Sequence, residues 1–152
     1  MPQVWITDMH TMTLNRFFDA SPAQVWGAWT DPAILPRWFG PKGYSCQTKE
    51  INLVDGGVWI FDMTGPDGTV WPNRHRFTRY TPMTQIMFLL DDGTDGFAAM
   101  EVVVDLTPEA GGTRLFQTMT FPSAESKAGA IAFGAEALGY TTLDKLAAIL
   151  AG

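Results

Sequence analysis

The hydrophobic and polar positions of this chain change period three times, and each change marks a new kind of element. Over residues 4–20 the pattern alternates, most clearly in MTLNRFFDA. Leu14, Arg16 and Phe18 share one face and Asn15 and Phe17 the other, which predicts a strand. The alternation stops in SPAQVWGAWTDPAILPRWFGP. There Ser21 is a helix cap, Pro22 occupies the first helical position, and Val25, Trp26 and Trp29 recur at helical spacing. Asp31-Pro32 starts a second short helix that Pro36 and Gly40-Pro41 end. From residue 44 onward the period returns to two. Strands are predicted over residues 44–53, 58–64, 70–80, 85–90, 97–106 and 113–121. Turn chemistry separates them, with Asp55-Gly56-Gly57, Gly65-Pro66-Asp67-Gly68, Pro82, the run 91–96 and Glu109-Ala110-Gly111-Gly112.

Residues 123–151 form one long helical pattern with no proline. Ser123 is the N-cap, and Glu125 sits in the first turn, where the helix dipole favours an anion. Ala128, Ile131, Ala132, Ala135, Gly139, Thr142, Leu146, Ile149 and Leu150 fall on one arc. The first half of that arc is small apart from Ile131, and the second half is large. A helix with such a face leaves space between itself and what it covers. Each strand has one apolar face, so the sheet must be covered. The terminal helix, about 40 Å long, is the element with the length to do it. The expectation is an α+β fold in a single domain spanning residues 1–152. A strongly curved antiparallel β-sheet wraps a long C-terminal α-helix, with two short helices after the first strand.

Composition narrows the functional classes. A chain of 152 residues can bury about 70% of its unfolded surface, enough for a core and a cavity. The apolar fraction of 46% against 17% charged argues against disorder. The formal charge of −6, with Lys and Arg scattered, argues against nucleic acid and against anionic membranes as partners. Cys46 is the single cysteine and cannot form an internal disulfide, which fits a reducing compartment. No apolar core of a signal peptide opens the chain, and no run approaches a membrane span. A cytoplasmic location is expected.

Several segments together resemble the SRPBCC (START-like, helix-grip) superfamily, in the branch named for the activator of the heat-shock-protein-90 ATPase. They are FDASPAQVWGAWTDP, RWFGPKGY, the run at residues 55–63, GPDGTVWPN, EAGGTRL, and FPSAES leading to LDKL. The resemblance runs from about Leu14 to Leu150. It implies a curved sheet gripping a long helix, with a hydrophobic cavity between them. Relatives bind lipids, sterols, polyketides or plant hormones, a few are cyclases or related enzymes, and the founding branch stimulates a chaperone ATPase. Two departures stand out. Relatives carry Gly-Trp where this chain has Leu138-Gly139, which predicts an enlarged pocket near Gly139. Relatives also carry a small residue and an aliphatic where this chain has His75 and Arg76, and often an acid at Arg79.

Candidate chemistry centres on His75, which shares strand parity with Asn73, Phe77 and Arg79. A cavity-facing imidazole could hydrogen-bond a ligand or act as a general base; the alternative is a surface histidine. Gln117 shares parity with Leu115, Met119 and Phe121, and a buried amide there needs partners. Arg16 is read either as buried with an acid or as an edge residue. Two histidines and one cysteine are too few for a zinc site. Residues 91–96 do not fit a calcium loop. No metal and no cofactor is expected. Cys46 reads as structural. Phe133 and Tyr140 lie opposite the apolar arc, where exposed aromatics could pair two copies as a homodimer.

The functional expectation is binding of a small hydrophobic molecule (lipid, sterol or polyketide-like) in a cavity between the sheet and the C-terminal helix. Asn73, His75 and Gln117 would supply polar contacts. Trp59, Phe61, Met63, Phe77, Met100, Met119, Leu138 and Gly139 would form the wall. The alternatives are a cyclase- or hydrolase-type enzyme using His75 in the same cavity, and a chaperone ATPase co-activator. The last is disfavoured because the chain has no room for a separate chaperone-binding domain.

Overall fold

The computed structural model describes residues 10–152; the part of the predicted first strand before residue 10 lies outside them. Strand β1 is Thr11–Phe18, followed by helices α1, Pro22–Thr30, and α2, Leu35–Trp38. A meander of strands then runs through β2 (Ser45–Ile51), β3 (Val58–Thr64), β4 (Val70–Thr81), β5 (Gln85–Asp91), β6 (Met100–Glu109) and β7 (Gly112–Thr120). Helices α3, Ala124–Phe133, and α4, Ala135–Ala151, end the chain. The strands form one seven-stranded sheet in the order β1-β7-β6-β5-β4-β3-β2, and every pairing is antiparallel. This is the α+β architecture that the pattern predicts and the helix-grip fold that the resemblance implies.

Alternation places one face of every strand except β2 in the core: Leu14 and Phe18, Leu115, Val102 and Val104, Ile86 and Phe88, His75 and Phe77, Trp59 and Phe61. Burial of each large apolar side chain contributes about 1.5–3 kcal/mol. The capping box of Ser21 and Gln24 starts α1. Trp29 and Trp38 then meet edge to face at 4.8 Å, and the Trp38 indole Nε1–H donates to the Ala28 carbonyl at 3.0 Å. Pro36 opens α2 rather than ending it, because the turn after Asp31 delays the helix to Leu35.

Two features differ from the pattern, each for a local reason. The single terminal helix is two, broken at Gly134, whose φ of 86° is a left-handed conformation open to glycine at little cost. Helix α3 buries no residue, and Ile131 is exposed. Helix α4 buries Leu143 and Leu146, packing on β1, α1 and α2. The apolar arc drawn through Ala128 and Ile131 is therefore not the packed face. The second difference is a β-bulge in β4 between Phe77 and Arg79. The turn after β2 locks it. Gly56 N–H donates to Phe77 O, Phe77 N–H donates to Gly57 O, and Tyr80 N–H donates to the Asp55 carboxylate. A Cβ at Gly57 would stand 2.0 Å from Asn52 O, so only glycine closes this turn. One extra residue reverses the parity beyond it. Arg79 is thereby turned out to solvent, and Tyr80 joins Phe77 against the core.

Among the described residues no helix is long and apolar enough to cross a membrane.

Candidate functional site

The inward face of the sheet has a filled end and an open end. Along β3, Trp59 and Phe61 are buried but Met63 is half-buried. Along β5 the same step occurs from Phe88 to Leu90, along β6 from Val102 to Met100, and along β7 from Leu115 to Gln117 and Met119. On β4 it runs from His75 through the half-buried Asn73 to Trp71, which is 49% exposed. Antiparallel register turns the looser positions toward the same end, since Met63 pairs with Trp71, Leu90 with Met100, and Glu101 beside Met100 with Thr120 beside Met119.

At that end lies an apolar cleft of about 300 Å³ lined by Pro41, Tyr44, Met63, Trp71 and Phe133. The loop between α2 and β2 forms one wall, and α4 anchors that loop. Lys145 Nζ donates to the carbonyls of Gly40 at 3.0 Å and Tyr44 at 3.2 Å, and Thr141 Oγ1 accepts from Lys42 N–H at 3.0 Å. Partial burial lowers the Lys145 pKa. Phe133, 63% exposed at the end of α3, forms the opposite lip.

The filled end is an aromatic cage around His75. Its ring stacks on Phe88 at 4.5 Å and meets Phe39 at 5.1 Å, Trp59 and Phe61 at 5.2 Å each, and Phe77 at 6.2 Å. The imidazole is 1% exposed, and its Nε2 has no hydrogen-bond partner. Desolvation drives its pKa down to about 3, against a smaller opposing pull from the Asp91 charge. The ring is thus neutral at pH 7 and a weak base. It faces neither solvent nor an acid within hydrogen-bond reach.

The remaining predicted positions divide clearly. Asn73 uses its amide on the Trp71 carbonyl at 3.0 Å. The Gln117 amide points at Met119 Sδ at 3.8 Å, a weak contact. Leu138 is half-buried. Gly139 does not border a hole, because a Cβ built there would lie 2.6 Å from Leu14 Cδ1. The buried Leu14, inward on the neighbouring strand, fills the space where an enlarged pocket was expected. Arg16 is half-buried and pairs with Asp144 of α4. Tyr140 is half-buried, and its hydroxyl accepts from Asn15 N–H at 3.3 Å, so it does not form an exposed patch with Phe133. The Cys46 thiol donates to Phe39 O at 3.3 Å, and burial raises its pKa to about 11. On the outer face Asp91 accepts from Arg74 and Arg76, both at 2.8 Å. The Arg74 hydrogen bonds lead in holding its pKa down to about 2. Among the described residues no group of three or more His, Cys, Asp or Glu side chains gathers to hold a metal.

Four cleft residues were absent from the predicted wall. Trp71 shares parity with Asn73 and His75, so alternation alone points to it. Pro41, Tyr44 and Phe133 come from loops and a helix end, where no period places a side chain.

Comparison with known proteins agrees with this geometry. The family profile described as "Activator of Hsp90 ATPase homolog 1-like protein" matches residues 19–151. Protein Ms6760 from Mycobacterium smegmatis is 25% identical with a TM-score of 0.85, over 95% of this chain and 93% of that one. A protein from Arthrobacter aurescens is 26% identical with a TM-score of 0.85, over 95% and 88%. The AHSA1 protein from Silicibacter pomeroyi shares the fold at 24% identity and a TM-score of 0.75, over 93% and 97%. No protein of curated function matches the chain at a significant level.

Proposed function

We infer a ligand-binding role for the chain, which belongs to the activator of Hsp90 ATPase homolog 1-like family. Within it we propose that this member holds a small hydrophobic molecule, lipid, sterol or polyketide-like, between the sheet and the C-terminal helices. The observation that carries this reading is the coordinated loosening of the inward face at one end of five adjacent strands, where an apolar cleft opens. A cleft of this chemistry favours apolar surface removed from water, with no charged side chain in its lining to bind an ion. Met63, Trp71, Tyr44 and Phe133 form the entrance, and Asn73, Met100, Gln117, Met119 and Leu138 line the way inward. Trp59, Phe61, His75 and Phe77 close the inner end, and Gly139 serves packing.

Binding is favoured over proton abstraction. An imidazole this hard to protonate, with no acid to orient it, suits hydrogen bonding better than general-base catalysis near neutrality.

Thermal-shift measurements with lipids, sterols and aromatic polyketides test the reading. A ligand at a hundred times its Kd adds about 2.7 kcal/mol, a rise of roughly 5–10 °C for a domain this size. Trp71→Ser should reduce that rise without lowering the ligand-free Tm by more than about 2 °C, since the side chain is half exposed. No rise with any of the three classes would contradict it.

A further inference from the structure

Three polar atoms in the aromatic cluster are buried with no hydrogen-bond partner: His75 Nε2, Trp29 Nε1 and the Tyr80 hydroxyl. A buried polar group left unpaired forfeits the hydrogen bonds it makes to water. They belong to one connected set of rings. Phe39 lies 5.1 Å from His75 and 6.3 Å from Trp29, while Phe77 lies 6.2 Å from His75 and 5.3 Å from Tyr80. Phenylalanine at position 75 would fit among these neighbours without the unpaired nitrogen. The cluster therefore carries unmet hydrogen-bonding capacity inside an otherwise apolar enclosure.

We propose that this cage is the subsite for the polar end of the bound molecule, a neutral hydroxyl or carbonyl oxygen on a flat ring. The proposal rests on the cavity reading above. The chemistry of the atoms selects the group. The Trp29 indole N–H can only donate, so it requires an acceptor. The Tyr80 hydroxyl and a neutral imidazole can each donate or accept through the named atoms, which fits an oxygen bearing a proton or lone pairs. A carboxylate does not fit, because the arginines near this region, Arg74 and Arg76, pair with Asp91 on the outer face. The geometry also sets the length. Trp71 at the entrance and His75 in the cage are four residues apart on β4, about 13 Å along the strand.

The Phe39 ring packs on His75, and Pro41, two residues further on, lines the cleft. Phe39 caps α2 and is followed by Gly40 with φ of 97°, and its ring packs on Trp29, Trp59, Phe61 and His75. Entry of the polar end to the cage requires this ring to turn aside.

The test uses two probes of the same ring system, 2-naphthol and 2-methylnaphthalene, titrated calorimetrically into the wild type and His75→Phe. The wild type should bind naphthol at least tenfold more tightly than methylnaphthalene, and His75→Phe should lose that preference while keeping affinity for methylnaphthalene. In 15N-histidine spectra of the wild type, the His75 ring nitrogens should shift with naphthol and not with methylnaphthalene. This readout stands even if the variant folds poorly. Equal affinity for both probes, or an unmoved His75 resonance, overturns the polar subsite and leaves the cavity reading intact. Absence of binding by both probes also overturns the polar subsite, and the cavity reading then stands or falls on the thermal-shift result.

Discussion

Gly139→Ala puts the packing of α4 on the sheet to a quantitative test. In an open helix interior, Ala in place of Gly gains about 1 kcal/mol through backbone entropy. At position 139 the added Cβ would come within 2.6 Å of Leu14 Cδ1, 3.7 Å of its Cγ and 3.8 Å of its Cδ2. Leu14 is 1% exposed and has no solvent to swing into. Overpacking of this kind costs about 1–3 kcal/mol, so the expected net effect is a loss of about 0–2 kcal/mol. Gly129→Ala in α3 is the control, since nothing lies within 4 Å of a Cβ there, and it should gain up to about 1 kcal/mol. Leu14→Ala alone should cost about 2–5 kcal/mol. In that background Gly139→Ala meets no clash and should recover its gain, giving a coupling of about 1–3 kcal/mol in the double-mutant cycle. Urea unfolding followed by tryptophan fluorescence measures each corner. If Gly139→Ala stabilises the wild type as much as it stabilises Leu14→Ala, then Leu14 does not fill the space beneath α4.

Three further outcomes follow from named contacts. The His75 pKa of about 3 lies below its unfolded value of 6.5, so the unfolded chain binds more protons between those pH values. Its share of stability is fully present above pH 6.5 and is lost as pH falls toward 3, a decrease on the order of 5 kcal/mol. Urea unfolding at several pH values should show this slope in the wild type and a much shallower one in His75→Phe. Lys145→Met removes the charged donor from the carbonyls of Gly40 and Tyr44, at a cost of about 1–3 kcal/mol. Amide exchange at Tyr44, whose N–H bonds to Pro41 O, should speed up. Gly134→Ala forces a side chain into a left-handed conformation and should cost about 1–2 kcal/mol, read as a lower Tm.

Much of the fold was legible because burial follows a period. Strand alternation located the meander and put Trp59, Phe61, His75 and Phe77 on the inward face. It misassigned Arg79 because the bulge at residues 77–79 depends on hydrogen bonds from residues 55–57, which no local pattern encodes. The terminal helix read as continuous because one glycine does not interrupt a 3.6-residue period, although its left-handed φ breaks the chain there. The expected hole at Gly139 failed for a different reason. A missing side chain makes a cavity only if its neighbours stay back, and Leu14 on β1 moves into the gap. The cleft was partly legible, since Trp71 continues the His75 parity, while Pro41, Tyr44 and Phe133 meet only through tertiary packing.

The central claim, an apolar ligand entering at the open end of the sheet, is tested most directly by methyl NMR on methionine-labelled protein titrated with 2-naphthol. Met63, Met100 and Met119 lie on the inward face at that end, whereas Met83 sits in the β4–β5 turn and Met87 lies on the outer face. Saturable shifts are expected at Met63, Met100 and Met119, with Met83 and Met87 unmoved. Shifts confined to Met83 or Met87, or no saturable shift at the inward methyls, would contradict it.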